Sequence, residues 1–303
     1  MTLAVKPRSA HVDGILLMTA GMLVIPGIDA IAKFLSDDVA AGQVAWGRFL
    51  VQSLILLPFV LLRKRAADAF RRPFVHFARG FLIAMATLMF FASLKYLPMA
   101  DAIAIFFVEP FILTLISAIF LGETIGWRRI GAILVGFIGA LMIIRPSYAI
   151  FGLPALLPIG AACCFAIYLA LTRSLAQGSD AVVIQLTAGL SGLLVMSVAL
   201  LAGGSLDIAV LTPRWLSPDH WALLILLGLI GTGAHLLVVN GFKRAPASLL
   251  APFQYLEIIS ATLLGFFIFG DFPDPLTWVG IAIIVGSGLY VLHRERIAGT
   301  NSD

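Results

Sequence analysis

Leu94-Lys95-Tyr96-Leu97-Pro98, then Glu109-Pro110, then Gly122-Glu123, is answered later in the chain by Phe242-Lys243-Arg244-Ala245-Pro246, then Glu257, then Gly270-Asp271. One shift of 148 residues lays Lys95 on Lys243, Pro98 on Pro246, Glu109 on Glu257, Gly122 on Gly270 and acidic Glu123 on acidic Asp271. After a short insertion, Trp127 and Trp278 open the next segment of each copy. Apolar sequences match glycines by chance. A lysine, a proline and a glutamate at one offset mark a duplication.

The duplication runs through a very apolar chain. Of 303 residues, 61% are hydrophobic and 12% charged, with a mean hydropathy of +1.05. Soluble domains are roughly 45–50% apolar and 25% charged, so a disordered chain, a collagen-like fibre and a cytosolic enzyme with a polar coat are excluded. Two cysteines, adjacent at Cys163 and Cys164, cannot build a disulfide scaffold or a cysteine-rich zinc module. Crossing a hydrocarbon core of about 30 Å takes roughly 20 residues at 1.5 Å each. Ten stretches qualify: 13–35, 42–62, 76–97, 99–121, 127–145, 152–173, 180–202, 219–242, 247–269 and 275–293.

Five spans in each copy is an odd number, so the second copy enters the membrane in the opposite sense. The expected fold is an all-α polytopic membrane protein, with ten transmembrane helices in two inverted five-helix repeats around a central cavity, the architecture of many secondary transporters. The divisions are a tail at 1–12, repeats at 13–145 and 152–293, and a second tail at 294–303. Lys6, Arg8 and His11 precede the first span as they would in a signal peptide. That span is long, carries Asp29 and Lys33, and completes the first copy, so it is expected to stay.

With the N-terminus inside, the inner segments hold Lys6, Arg8, Arg63, Lys64, Arg65, Arg71, Arg72, Arg79, Arg128, Arg129, Arg173, Lys243, Arg244, Arg294 and Arg296. The outer ones hold Lys33, Lys95, Arg145 and Arg214, and Arg48 lies within a span. This asymmetry predicts cytoplasmic termini in a bacterial inner membrane. It also accounts for the net charge of +4 without a nucleic-acid partner. Trp127 and Trp278 suit interfacial anchors.

The matched segments resemble the EamA-type repeat of the drug/metabolite transporter superfamily over about 13–293, with Gly131 and Gly139 in the helix that follows Gly122-Glu123. The second copy departs from the pattern, with Ile258 opposite Pro110 and Asp271 for the usual glutamate. The resemblance implies ten helices, a central cavity and movement of small metabolites without ATP. Within the superfamily the chain looks most like the bacterial exporters of aromatic and neutral amino acids. That implies an amino acid or similar metabolite as substrate.

A charge at mid-bilayer costs about 2.5–3.5 kcal/mol on insertion scales, so each ionisable residue there is a site hypothesis. Glu109 and Glu257 each lie eleven residues past a proline at opposite ends of oppositely directed spans, about 16 Å deep. Both therefore reach the midplane, either as a protonatable or substrate-contacting pair or as partners of loosened backbone. Pro110 and Pro26 leave the carbonyls of Phe106 and Met22 without helical donors, as Pro252 does for Ser248, and so predict bends. Asp29 and Arg48 sit in neighbouring spans and are expected to pair, the alternative being that Arg48 receives a substrate carboxylate. Phe106, Gln254, Trp46, Tyr96, Tyr168 and His235 complete an apolar lining with few polar anchors, each alternatively packed between helices. Glycines in spans five and ten suit close packing inside the bundle more than dimerisation, and a monomer is expected.

One motif points elsewhere. Gly189-Leu190-Ser191-Gly192 reads as the serine motif of an intramembrane protease, with His235 in the next span, but Ser191 lies mid-run in apolar sequence. No Gly-Lys pair exists to form a Walker A loop, and no H-E-x-x-H occurs. No enzyme activity, cofactor or metal is indicated. The expected function is export of aromatic or neutral amino acids by alternating access. The alternative on the same fold is uptake of a nucleoside-like, vitamin-like or amine metabolite.

Overall fold

Among the described residues, helix is found within each of the ten apolar stretches. The computed structural model describes residues 8–62, 72–121, 127–176, 180–244, 250 and 253–300, and the described secondary structure is helical throughout. The first copy holds α1 (Arg8–Val24), α2 (Pro26–Leu35), α3 (Ala41–Leu62), α4 (Pro73–Leu94), α5 (Met99–Phe106), α6 (Glu109–Leu121) and α7 (Trp127–Phe151). A short 3₁₀ turn leads into the second: α8 (Leu157–Ala176), α9 (Ala181–Leu206), α10 (Pro218–Arg244), α11 (Leu256–Leu264) and α12 (Pro275–Thr300).

Among the described residues, six runs are long and apolar enough to cross a membrane: Val12–Leu35, Ala41–Leu62, Pro73–Leu94, Leu153–Thr172, Ala181–Leu206 and Pro218–Gly241. The stretch at 99–121 is divided into α5 and α6. The stretches at 127–145, 247–269 and 275–293 include positions outside the described backbone or side chains. Gly122, Glu123, Pro246 and Pro252 also lie outside the described residues.

Local chemistry sets the ends. The Asp180 carboxylate accepts from the Val182 amide at 2.9 Å to start α9, and Asp274 accepts from Thr277 at 2.7 Å to start α12. After α11 a π-turn, Gly265–Phe269, closes on Gly270 at φ 74°, a conformation that favours glycine. That turn delivers Asp271 to the end of the bundle.

Packing between the copies is reciprocal. α1 lies antiparallel on α10, with Gly21 against Val238 and Gly241 against Gly14, and α4 lies antiparallel on α8, with Met89 against Gly160 and Arg79 against Thr172. α3 runs alongside α10 through Gly47–Leu224 and Val51–Gly228, as α4 runs alongside α9 through His76–Thr187 and Gly80–Ser191. α5 and α6 rest on α8 as α11 rests on α1 and α2. Two pairs join equivalent helices: α3 with α9, where Phe49 meets Gly192, and α7 with α12. At the latter, a Cβ on Gly139 would stand 3.0 Å from the Gly280 carbonyl oxygen, and one on Gly280 would stand 2.8 Å from the Gly139 oxygen. These glycines therefore pack helices inside the bundle.

Candidate functional site

Three carboxyl side chains gather where three helices are interrupted. Pro26 opens α2, and Asp29 lies in its first turn. The chain turns at Phe107 and Val108 before α6 opens on Glu109-Pro110. A turn at Tyr255 precedes α11, whose second residue is Glu257. The missing N–H of proline explains the first two breaks. At the new starts Ile28 N, Phe111 N and Ile258 N bond back to the turn carbonyls of Ile25, Val108 and Tyr255, and a carboxylate in such a first turn gains about 0.3–1 kcal/mol from the helix dipole. Glu257 lies within electrostatic reach of both Asp29 and Glu109, and Tyr255 within reach of Glu109. The carbonyl next to the one that Pro26 frees receives a bond from a neighbouring helix, since the Ser260 hydroxyl of α11 donates to Leu23 O at 2.7 Å.

The arginines are placed differently. Arg48, mid-α3, donates from Nη1 to Thr87 Oγ1 at 2.9 Å and from Nη2 to His235 Nε2 at 2.8 Å. A guanidinium has no acceptor, so His235 accepts this bond. The expected Arg48–Asp29 pairing is corrected here. The two are within electrostatic reach, but no ion pair within 4.0 Å joins them, because α4 and α10 supply nearer partners. Arg79 was expected among the basic residues at the inner surface. It is instead 0% exposed inside α4, donating from Nε to Thr172 Oγ1 at 2.9 Å, with its Cζ 5.0 Å from the Tyr168 ring centroid.

The aromatic candidates divide. Phe90, Phe106, Phe165 and Tyr168 form a strip in which each ring centroid is 5.5 Å from the next, and Phe106 is one helical turn before Glu109. Gln254 is half-buried in the turn preceding α11. Trp46 is held away from Arg48, bonded to Ser197 Oγ at 2.9 Å and packed edge-on against Trp221. Two residues along a helix point to roughly opposite sides, which sends Trp46 outward from the site. Tyr96 is exposed in the turn between α4 and α5. The protease reading fails on geometry: Ser191 is pressed against Gly80, where a Cβ would meet its own Cβ at 2.1 Å, while His235 is bonded to Arg48.

The two ends of the bundle differ. At one, Lys33 of α2 donates to Asp271 and to Leu97 O at 3.1 Å, and lies over the Phe269 ring at 5.0 Å. That side chain joins α2, the segment after α11 and the α4–α5 turn. At the other end a cavity of about 530 Å3 runs between α3, α9 and α10, with Asp180, Thr232, Asn240 and Lys243 as its polar lining. Among the described residues, no group of three or more metal-ligating side chains comes together.

Known proteins match this chain along its length. The model of the EamA-like transporter family matches twice, over residues 12–145 and 152–292. The S-adenosylmethionine uptake transporter of Rickettsia prowazekii is 29% identical over 289 residues, 94% of each chain. The riboflavin transporter of Rhizobium johnstonii is 28% identical over 298 residues, 97% of this chain and 95% of the other. The pseudopaline exporter of Pseudomonas aeruginosa is 25% identical over 279 residues, 90% and 93% of the two chains. These relatives carry uptake as well as export, and none of the three is named for aromatic amino acids.

Proposed function

The chain belongs to the EamA-like transporter family, and on that premise we propose that it is a secondary transporter for small metabolites bearing an amino-acid-type cationic centre. The observation that carries this reading is the meeting of Asp29, Glu109 and Glu257 from both copies at three interrupted helices. Bends at membrane depth are tolerated where protein or a water-filled cavity satisfies the backbone, and inverted-repeat transporters bind substrate at such breaks. The aromatic strip beside Glu109 suits a flat or apolar substrate body. S-adenosylmethionine and the aromatic and neutral amino acids combine these features and are the first substrates to test.

Mechanistically, the two repeats at 13–145 and 152–293 form an inverted pair and rock about the midplane. The reciprocal packing of α1 on α10 and α4 on α8 supports this reading, as does the double family match. The Lys33–Asp271 tie and the cavity at the opposite end suit a state closed on one face. The basic asymmetry assigns the cavity end and both termini to the cytoplasm of a bacterial inner membrane.

Counterflow in proteoliposomes tests the function, using labelled S-adenosylmethionine, phenylalanine, methionine, threonine, leucine and riboflavin with and without a pH gradient. Saturable exchange of at least one amino-acid-type compound is expected. Exchange of riboflavin alone, or of none, overturns the substrate class. Reporter fusions at the C-terminus test the orientation.

A further inference from the structure

We propose that Arg79, together with Arg48 across the Tyr168 ring, forms a recognition site for the carboxylate of the transported metabolite. The proposal rests on the transport reading above and adds the opposite pole to it.

Arg79 is fully enclosed and poorly satisfied. Its guanidinium carries five N–H donors. Nε has one good bond, to Thr172, while Nη1 reaches the Ile184 carbonyl only at 3.5 Å. That carbonyl already receives the Thr187 hydroxyl at 3.0 Å. Nη2 is buried with no hydrogen-bond partner, and among the described residues no acidic side chain forms an ion pair with Arg79. Arg48 repeats the pattern, with its Nε buried and unbonded. Both cations address one residue: Arg79 stacks on the Tyr168 ring, and Arg48 lies within electrostatic reach of Tyr168.

A buried guanidinium lacking a counter-ion is costly in a membrane, and a planar fork of donors matches a carboxylate. The missing partner is an anion that arrives and leaves. Phe106 and Phe165 connect Tyr168 back to the Glu109 region. A zwitterion with an apolar body therefore meets carboxyls at one end of the strip and guanidinium groups at the other. Thr172 and Ile184 hold Arg79 in place while the anion is absent.

The test compares carboxylates with their amides on the full-length protein. Phenylacetate and phenylacetamide serve as probes in thermal shift, and phenylalanine and phenylalaninamide in vesicle transport. For the unmodified chain, phenylacetate is expected to stabilise and phenylacetamide not, with transport favouring phenylalanine about tenfold or more. Arg79→Gln abolishes the phenylacetate shift and brings the transport ratio close to one, the carboxylate losing far more than the amide. Arg79→Lys, which keeps the charge, gives an intermediate ratio and guards against a folding failure of the first variant. Absence of a phenylacetate shift in the unmodified protein overturns the proposal, as does an equal loss of both partners in either variant. Transport without carboxylate preference also overturns it and leaves the function standing. An Arg79-dependent shift without transport of any amino-acid compound does the reverse.

Discussion

The carboxyls and the arginines occupy opposite kinds of backbone. Asp29, Glu109 and Glu257 each stand in the first turn of a helix that begins inside the bundle. Arg48 and Arg79 stand within unbroken helices. The difference follows from the peptide dipole. A helix start presents free N–H groups and a partial positive charge, which favours an anion and opposes a cation. A guanidinium in the interior of a helix meets a fully bonded backbone and depends on side chains for its partners. Thr87, His235 and Thr172 fill that role, with the Tyr168 ring face beside Arg79. Anionic sites are thus built by breaking helices, and cationic ones by decorating them.

Reversing a charge at a helix start tests this contrast most severely. Glu257→Lys places a cation against the donors of α11 and is expected to abolish recovery of folded protein, judged by size-exclusion of a fluorescent fusion. Recovery equal to that of Glu257→Gln would break the comparison. Next in size, Glu109→Gln and Glu257→Gln should fold, because the amide keeps the size and an acceptor oxygen of the carboxyl, yet lose about 10- to 100-fold in transport. If either abolishes folding instead, its role is structural. Ser260→Ala removes the buried inter-helix bond to Leu23 O, a loss of about 0.5–1.5 kcal/mol that a thermal melt in detergent would detect. Smallest is Lys33→Met. Its tie to Asp271 is partly solvated, so the stability change should stay within about 1 kcal/mol. A larger drop would mean that this end of the bundle holds the fold together.

Much of the carboxyl side was legible in the sequence. Proline lacks an N–H wherever it stands, so Pro26 and Pro110 announced their bends, and the shared offset picked out Glu109 and Glu257. The arginine side was not. Arg79 lies a few residues beyond the start of its span, where a basic residue reads equally as loop charge or buried charge until the rotation of α4 against α8 and α9 is known. The same rotational ambiguity hid the choice of His235 over Asp29 as the close partner of Arg48. It also left Trp46 and Tyr96 as candidates although one turns away and the other is exposed. Lys33 and Asp271 are 238 residues apart and lie in no shared motif. The serine motif at Ser191 proved to be a packing surface for Gly80, a distinction only tertiary contact makes.

At Gly139 and Gly280 the backbones of α7 and α12 approach closely, with the Ile283 and Ile143 side chains packed against the crossing. Helices that meet this closely have little slack to draw nearer. In the rocking motion proposed above, that crossing would serve as the fulcrum, with the leverage on each helix set by its distance from it.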